Sequence, residues 1–219
     1  MAIAFDAKTG SNTLNTSLSW SHIPVGTPSA VAVMVMVETG VTINQVKYGA
    51  TDITASLIAS QVAGAKTLAI YGLANPSSGT QTVLITPSAN AYIAGEAITV
   101  TGSDTTTCFR VGSGISGTGS TSTTFNVSST TTSGDFVVDC ASDSSGNVGT
   151  IDGSQSNGWT QVPDEGAYGS TKAAVGSSTT MQWTVVAGGP YTWAQVAAAF
   201  QLAGAGAAAS TGFQRWWYS

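Results

Sequence analysis

Charge is the scarcest commodity in this 219-residue sequence, with 6 Lys and Arg and 11 Asp and Glu making up 8% of the chain beside a hydrophobic fraction of 42%. Soluble domains carry about 25% charged residues. The six basic residues (Lys8, Lys47, Lys66, Arg110, Lys172 and Arg215) are scattered. No basic stripe exists to neutralise phosphates, which argues against nucleic acid as a partner. Histidine is almost absent too: His22 is the only imidazole. A Ser-His-Asp arrangement built on it has no G-x-S-x-G elbow behind it, only an abundance of serines. With so few acid-base groups, neither a catalytic residue nor a cofactor is expected.

Two cysteines, Cys108 and Cys140, are too few for a disulfide framework in a chain of this length. They read as two free, largely buried thiols, although pairing stays open. A zinc site made from them with His22 has no close ligand spacing, so no metal is expected. No stretch approaches the roughly 18 apolar residues of a membrane span, and the opening MAIAFDAKTG lacks a secretory signal. The expectation is a product made in a cytoplasm, with no membrane partner.

What the sequence has in plenty is β pattern. Helical periodicity is nearly missing, and β-branched or aromatic runs bounded by Gly, Asn, Asp and Pro recur at short intervals. Leu14, Leu18 and Trp20 share a parity and predict a first half-buried strand. Val31 to Val37 (VAVMVMV) is apolar on both parities, which predicts a central strand covered on both faces. Val46 and Tyr48 followed by Gly49 predict a hairpin, and the stretches 67–73 and 80–86 predict two strands across a Pro76–Gly79 loop. Further strands are expected at 91–100, around Phe109 and Val111, weakly around Phe125 and Val127, and over 134–142, where Phe136, Val138 and Cys140 alternate inward. Residues 143–178 read as long loop pinned by Trp159, Val162 and Tyr168. Residues 181–187 and 191–203 read as a closing hairpin across Gly188-Gly189-Pro190, with Val196, Ala198, Phe200 and Leu202 on one face. No internal repeat is evident. The sum is an all-β antiparallel β-sandwich of nine or ten strands over residues 1–203, followed by a Gly/Ala-rich spacer at 204–211 and an aromatic tail at 212–219.

The ordering of SWSHIPVGTPSAVAVMVMV at 19–37, VTINQVKYGATDIT at 41–54, LAIYGLANPSSGTQTVLIT at 68–86 and the closing run from Trp183 to Phe200 resembles the jelly-roll-like β-sandwich domain of phage virion proteins and some bacterial surface proteins. The resemblance implies a structural or adhesive role, as a capsid decoration (cement) protein or a tail or fibre component, and it carries no catalytic residues. It implies location in the virion and, as partners, the major capsid protein or tail proteins and further copies of the chain. The tail after residue 203 has no place in the pattern.

Three local features carry the remaining candidates. The acidic stretch Asp143 to Gly153 has oxygen ligands at alternating positions but lacks the glycine and terminal glutamate of a calcium-binding EF-hand loop, so it reads foremost as a solvated turn. Trp159 and Trp193 offer flat apolar faces suited to a glycan platform. Phe213, Trp216, Trp217 and Tyr218 stand behind a flexible spacer, where large aromatics serve as anchors in a partner's pocket or fold back on their own sandwich edge.

Overall fold

The computed structural model describes residues 2–63, 66–121, 123–144, 150–161, 167–185 and 190–204. In the first half, β1 (Ala4–Asn15), β2 (Leu18–His22), β3 (Ala30–Glu38), β4 (Ile43–Tyr48), β5 (Thr51–Asp52), β6 (Leu57–Ala63), β7 (Lys66–Ala74), β8 (Gln81–Pro87) and β9 (Ala91–Thr101) follow one another. They form two antiparallel sheets in the orders β1-β9-β3-β7-β6 and β2-β8-β4-β5. The chain winds back and forth between them in the manner of a jelly roll.

The second half repeats this winding. Its strands are β10 (Ile115–Thr121), β11 (Thr124–Thr130), β12 (Phe136–Asp143), β13 (Thr150–Ile151), β14 (Ser156–Gln161), β15 (Ala167–Ala173), β16 (Ser178–Thr184) and β17 (Tyr191–Phe200). Their sheets run β10-β17-β12-β15-β14 and β11-β16-β13, which matches the first half strand for strand except that β5 has no counterpart among the described residues. The correspondence reaches individual bonds. Asn75 N–H donates to Ser29 O at 2.8 Å, and in the second unit Ala174 N–H donates to Asp135 O at 2.9 Å. The Ser29 hydroxyl accepts from Ser103 N–H at 2.9 Å, and the Asp135 carboxylate accepts from Leu202 N–H at 3.0 Å. Edge strands β6 and β14 carry a bulge at the same place, opposite Ile70–Tyr71 and Gly169–Thr171. These registers pair Ala30 with Phe136, Val33 with Asp139, Ala59 with Trp159 and Ala69 with Tyr168.

The two five-stranded sheets pack face to face, so the described residues form four β layers. Val31, Val33, Val35 and Val37 point into the first sandwich against Val46, Tyr48, Val83 and Ile85. The alternate residues Ala32, Met34 and Met36 point the other way, with Leu68, Ile70 and Ile98, into a central layer completed by Val138, Cys140, Val196, Ala198 and Phe200. The doubly apolar strand is therefore covered on both faces, as its sequence requires, and both covering layers come from the same chain. Fully burying each of these aliphatic side chains contributes roughly 1.5–3 kcal/mol. Phe125, Tyr168 and Trp183, with Val127, Val137 and Met181, fill the second sandwich. The stacking is two-fold in character: β6 lies by β10 and its counterpart β14 lies by β1.

The all-β antiparallel sandwich class is as expected, but the described residues hold seventeen strands in place of nine or ten, and the internal repeat escaped the sequence. Leu14 and Leu18 lie on separate strands, and Leu14 is exposed. Val111 is exposed rather than inward, and only Phe109 of that segment makes a bridge, to Phe200. The supposed loop at 143–178 holds β13, β14 and β15. The closing segments do not form a hairpin, because β16 joins the outer sheet and β17 the inner one.

Candidate functional site

His22 ends β2 fully buried, and its ring is held at both nitrogens. Nε2 lies 3.2 Å from Thr99 Oγ1, and Thr99 Oγ1 donates to Asp6 Oδ2 at 2.8 Å. With that proton committed to Asp6, the Thr99 oxygen accepts from Nε2–H, and Nδ1 then accepts from Thr9 Oγ1 at 2.8 Å. Trp20 Nε1–H donates to Thr9 Oγ1 at 3.1 Å, and Asp6 Oδ1 accepts from Gly26 N–H at 2.7 Å. The chain of donors runs in one direction across β1, β2 and β9. Burial lowers the His22 pKa to about 4, against a smaller opposing pull from Asp6, so the imidazole is neutral near pH 7. Thr9 and His22 form a hydroxyl–imidazole pair, yet a base of such low proton affinity activates a hydroxyl poorly at neutral pH. The network's chemistry suits joining three strands.

The second sandwich has its own polar centre on a different residue. Asp139 is fully buried where the first unit has Val33. Its Oδ1 accepts from Ser170 N–H at 2.7 Å and Ser170 Oγ at 2.8 Å, and its Oδ2 from Trp183 Nε1 and Gln195 Nε2, both at 2.7 Å. Burial raises its pKa to about 6, with the four donors pulling the other way. Neighbouring Asp143 accepts from Tyr168 OH at 2.5 Å. Sequence reasoning missed Asp139. The one available signal was that its parity, opposite to that of Phe136, Val138 and Cys140, also carries the apolar Val137 and Ala141.

The central layer holds further ionisable groups. Glu96 faces it alongside Ala94 and Ile98, and burial pushes its pKa up to about 8, with Lys8 acting in the opposite sense. The Lys8 ammonium crosses the layer to Asn157 O at 3.0 Å and to Gly158 O. Arg110 and Asp135 form a bidentate ion pair beside Leu202. Cys108 and Cys140 are free and buried, and burial pushes both thiols up, Cys108 to about 11. They are thus protonated and unreactive at neutral pH. Among the described residues no group of three or more His, Cys, Asp or Glu is placed to hold a metal ion.

The two tryptophans nominated as a glycan platform are not brought together. Trp159 is 7% exposed in the central layer, with its ring over Gly169. Trp193 is half-buried on the opposite face of the same sheet, stacked on Phe125 at 4.9 Å and 10°. Asp143 turns inward to Tyr168, Asp152 accepts from Ser154 N–H at 3.0 Å in a local turn, and 145–149 of that stretch lie outside the described residues. Phe213, Trp216, Trp217 and Tyr218 also lie outside them.

Two surface features remain. The outward face of β11 and β16 pairs Thr124 with Thr184, Asn126 with Gln182, Ser128 with Thr180 and Thr130 with Ser178, without one charged side chain. The Ser128 and Thr180 hydroxyls are 2.7 Å apart. Each sandwich also has a cleft at its open edge. In the first, a cleft of about 380 Å³ is lined by Val41, Ile43, Leu57, Val62, Ala69 and Tyr71 among others. In the second, one of about 270 Å³ is lined by Ile151, Gly158, Trp159, Thr160 and Trp183 among others. The sequence matches no family model, and no curated protein or solved structure matches it either.

Proposed function

We propose that this chain is a non-enzymatic structural protein of a phage virion, a capsid decoration protein that binds the particle exterior through protein–protein contacts. The observation that carries the reading is the uncharged hydroxyl and amide face of β11 and β16. Such a face docks without stripping water from charges, a step that costs several kcal/mol per ion. His22 and Asp139 are turned inward, where they serve as hydrogen-bonded joints. The jelly-roll winding supports the reading by fold-level analogy with virion proteins. A tail or fibre component would use the same face. A glycan-binding module has less support, since Trp159 is buried in the central layer and Trp193 is stacked on Phe125 on the opposite face of the same sheet.

The test uses particles purified from an infected culture. The chain is expected to co-purify at fixed stoichiometry, to be stripped by mild denaturant while the shell stays closed, and to rebind. Rebinding should fail when Asn126→Lys and Thr180→Lys place charge on the outer face. Absence of the chain from purified particles overturns the reading.

A further inference from the structure

We propose that one end of the molecule docks on a lipid surface, with Val25, Val111 and Val175 as apolar tips that enter an uncharged bilayer interface. This docking is independent of the virion reading and belongs to the loops at the end where β3 and β12 begin.

The three valines are 86%, 85% and 89% exposed, more than any other large apolar side chain among the described residues. Each is followed by a glycine and stands on a different loop: the first joins β2 to β3, the second precedes β10, and the third joins β15 to β16. Ile23, 57% exposed, adds a fourth apolar side chain to the first loop. A single exposed valine is ordinary surface. Three on separate loops gathered at one end are not.

A belt of hydrogen bonds holds these loops to one another. Ser29, which closes the first loop, has its hydroxyl 2.7 Å from that of Ser103, and Ser103 bridges to Leu202 where β9 and β17 finish. Leu202 N–H donates to Asp135 Oδ1 at 3.0 Å. The Asp135 carboxylate also accepts from Arg110 Nη2 at 2.8 Å, and Asp135 O accepts from Ala174 N–H at 2.9 Å. Val111 and Val175 therefore each follow a residue bonded to the same aspartate. The apolar tips project from a shared polar scaffold.

Charge decides the kind of surface they meet. The loops at this end contain a single cation, Arg110, and it is paired with Asp135. Asp104 caps its own turn by accepting from Thr106 and Thr107 N–H. With no cation to spare, the end gains nothing from anionic headgroups and suits a neutral surface. A protein partner covers one contiguous patch, whereas tips on three separate loops suit a medium that closes around each, as a lipid interface does. The described chain also leaves the body here, since Ala203 N–H donates to Gly102 O. The sequence beyond Gly204 holds Trp216, Trp217 and Tyr218, residue types enriched at membrane–water interfaces. Docking of this kind needs no membrane-spanning stretch.

The experiment is co-sedimentation of the full chain with phosphatidylcholine vesicles and with vesicles that also contain phosphatidylserine. The full chain is expected to bind both equally and to stay bound in high salt. Val25→Asp, Val111→Asp and Val175→Asp should each lower the partition coefficient about tenfold, and the triple variant should not bind. Leu14→Asp, also at an exposed position but at the opposite end of β1, should bind as the unaltered chain does. No binding by the full chain, binding that the triple variant keeps, or binding that requires the anionic lipid overturns the proposal. Self-association without vesicles that the triple variant abolishes also overturns it, by making this end an interface between copies. Each variant alters an exposed side chain, and an unchanged unfolding temperature shows that lost binding is not lost fold.

Discussion

The indole N–H of Trp183 donates to Asp139 Oδ2 at 2.7 Å inside the second sandwich, at a strand position where the first sandwich carries Val33. At this position one unit packs a valine, and the other sets a carboxylate under four donors. Asp139→Asn is expected to destabilise the protein by about 3 kcal/mol, because an amide nitrogen turned toward either donor pair leaves buried N–H groups unsatisfied. Trp183→Phe should cost less, since it removes one donor and leaves three. Urea unfolding followed by fluorescence ranks the two, and a neutral Asp139→Asn result would show that the carboxylate is not holding the sheets.

Glu96 gives the central layer a pH response. Its folded-state pKa is raised from 4.5 to about 8 by burial, so the folded protein holds this proton where the unfolded chain releases it. The stability attached to the protonated carboxyl is complete below about pH 4.5 and is lost as pH rises toward 8. Glu96→Gln keeps the shape without the ionisation. It should raise the melting temperature at pH 8 and leave it nearly unchanged at pH 4.5. A gain of equal size at both pH values would assign the effect to packing instead.

Much of the fold was legible wherever one side chain pattern had one cause. Val31 to Val37 announced two covered faces because no polar residue interrupts either parity. The equivalent strand at 136–143 is also buried throughout, but Asp139 and Asp143 interrupt one parity and disguise it as half-buried. Strands β14 and β15, Ser-Asn-Gly-Trp-Thr-Gln and Ala-Tyr-Gly-Ser-Thr-Lys-Ala, have little intrinsic β preference. The burial of their own Trp159 and Tyr168, in the central layer and in the second sandwich, makes them strands. The repeat stayed hidden because its paired positions exchange size and polarity, Ala69 for Tyr168 and Val33 for Asp139. The His22 network was equally illegible, since Thr9 lies 13 residues away along the chain and Thr99 lies 77.

Gly169 tests the packing of the central layer directly. A Cβ there would lie 2.2 Å from Trp159 Nε1 and 2.4 Å from the Asp139 carbonyl oxygen, and the second contact is backbone that cannot swing aside. Gly169→Ala is expected to cost about 3 kcal/mol by overpacking. Gly153→Ala is the control, because nothing lies within 4 Å of its added methyl, and it should shift stability by no more than about 0.5 kcal/mol. Equal effects from the two substitutions would mean that Trp159 is not seated over Gly169.

The matched halves predict that the chain can be cut and reassembled. Residues 104–107 form an exposed turn in which Asp104 Oδ1 accepts from Thr106 and Thr107 N–H, each at 2.8 Å. Each side of this turn contributes an inner and an outer sheet, so each fragment keeps its own sandwich core, Val31 to Val37 in one and Phe125, Tyr168 and Trp183 in the other. What the cut exposes is the central layer, with Met34, Met36 and Ile70 on one side and Val138, Val196 and Phe200 on the other. An apolar face of that kind is unstable in water and behaves as an obligate interface. Fragments 1–105 and 106–219 produced together should co-purify as a one-to-one complex that unfolds in a single transition. High salt should weaken it little, because apolar packing dominates and the charged groups that reach across, Lys8 to Asn157 O and Lys66 to Ser142 Oγ, meet neutral acceptors there. Produced alone, the first fragment should pair with itself through the same face, since the stacking is two-fold and both partners present aliphatic side chains from equivalent strands. Two fragments that stay soluble and monomeric and ignore each other would show that the four layers are not one cooperative body.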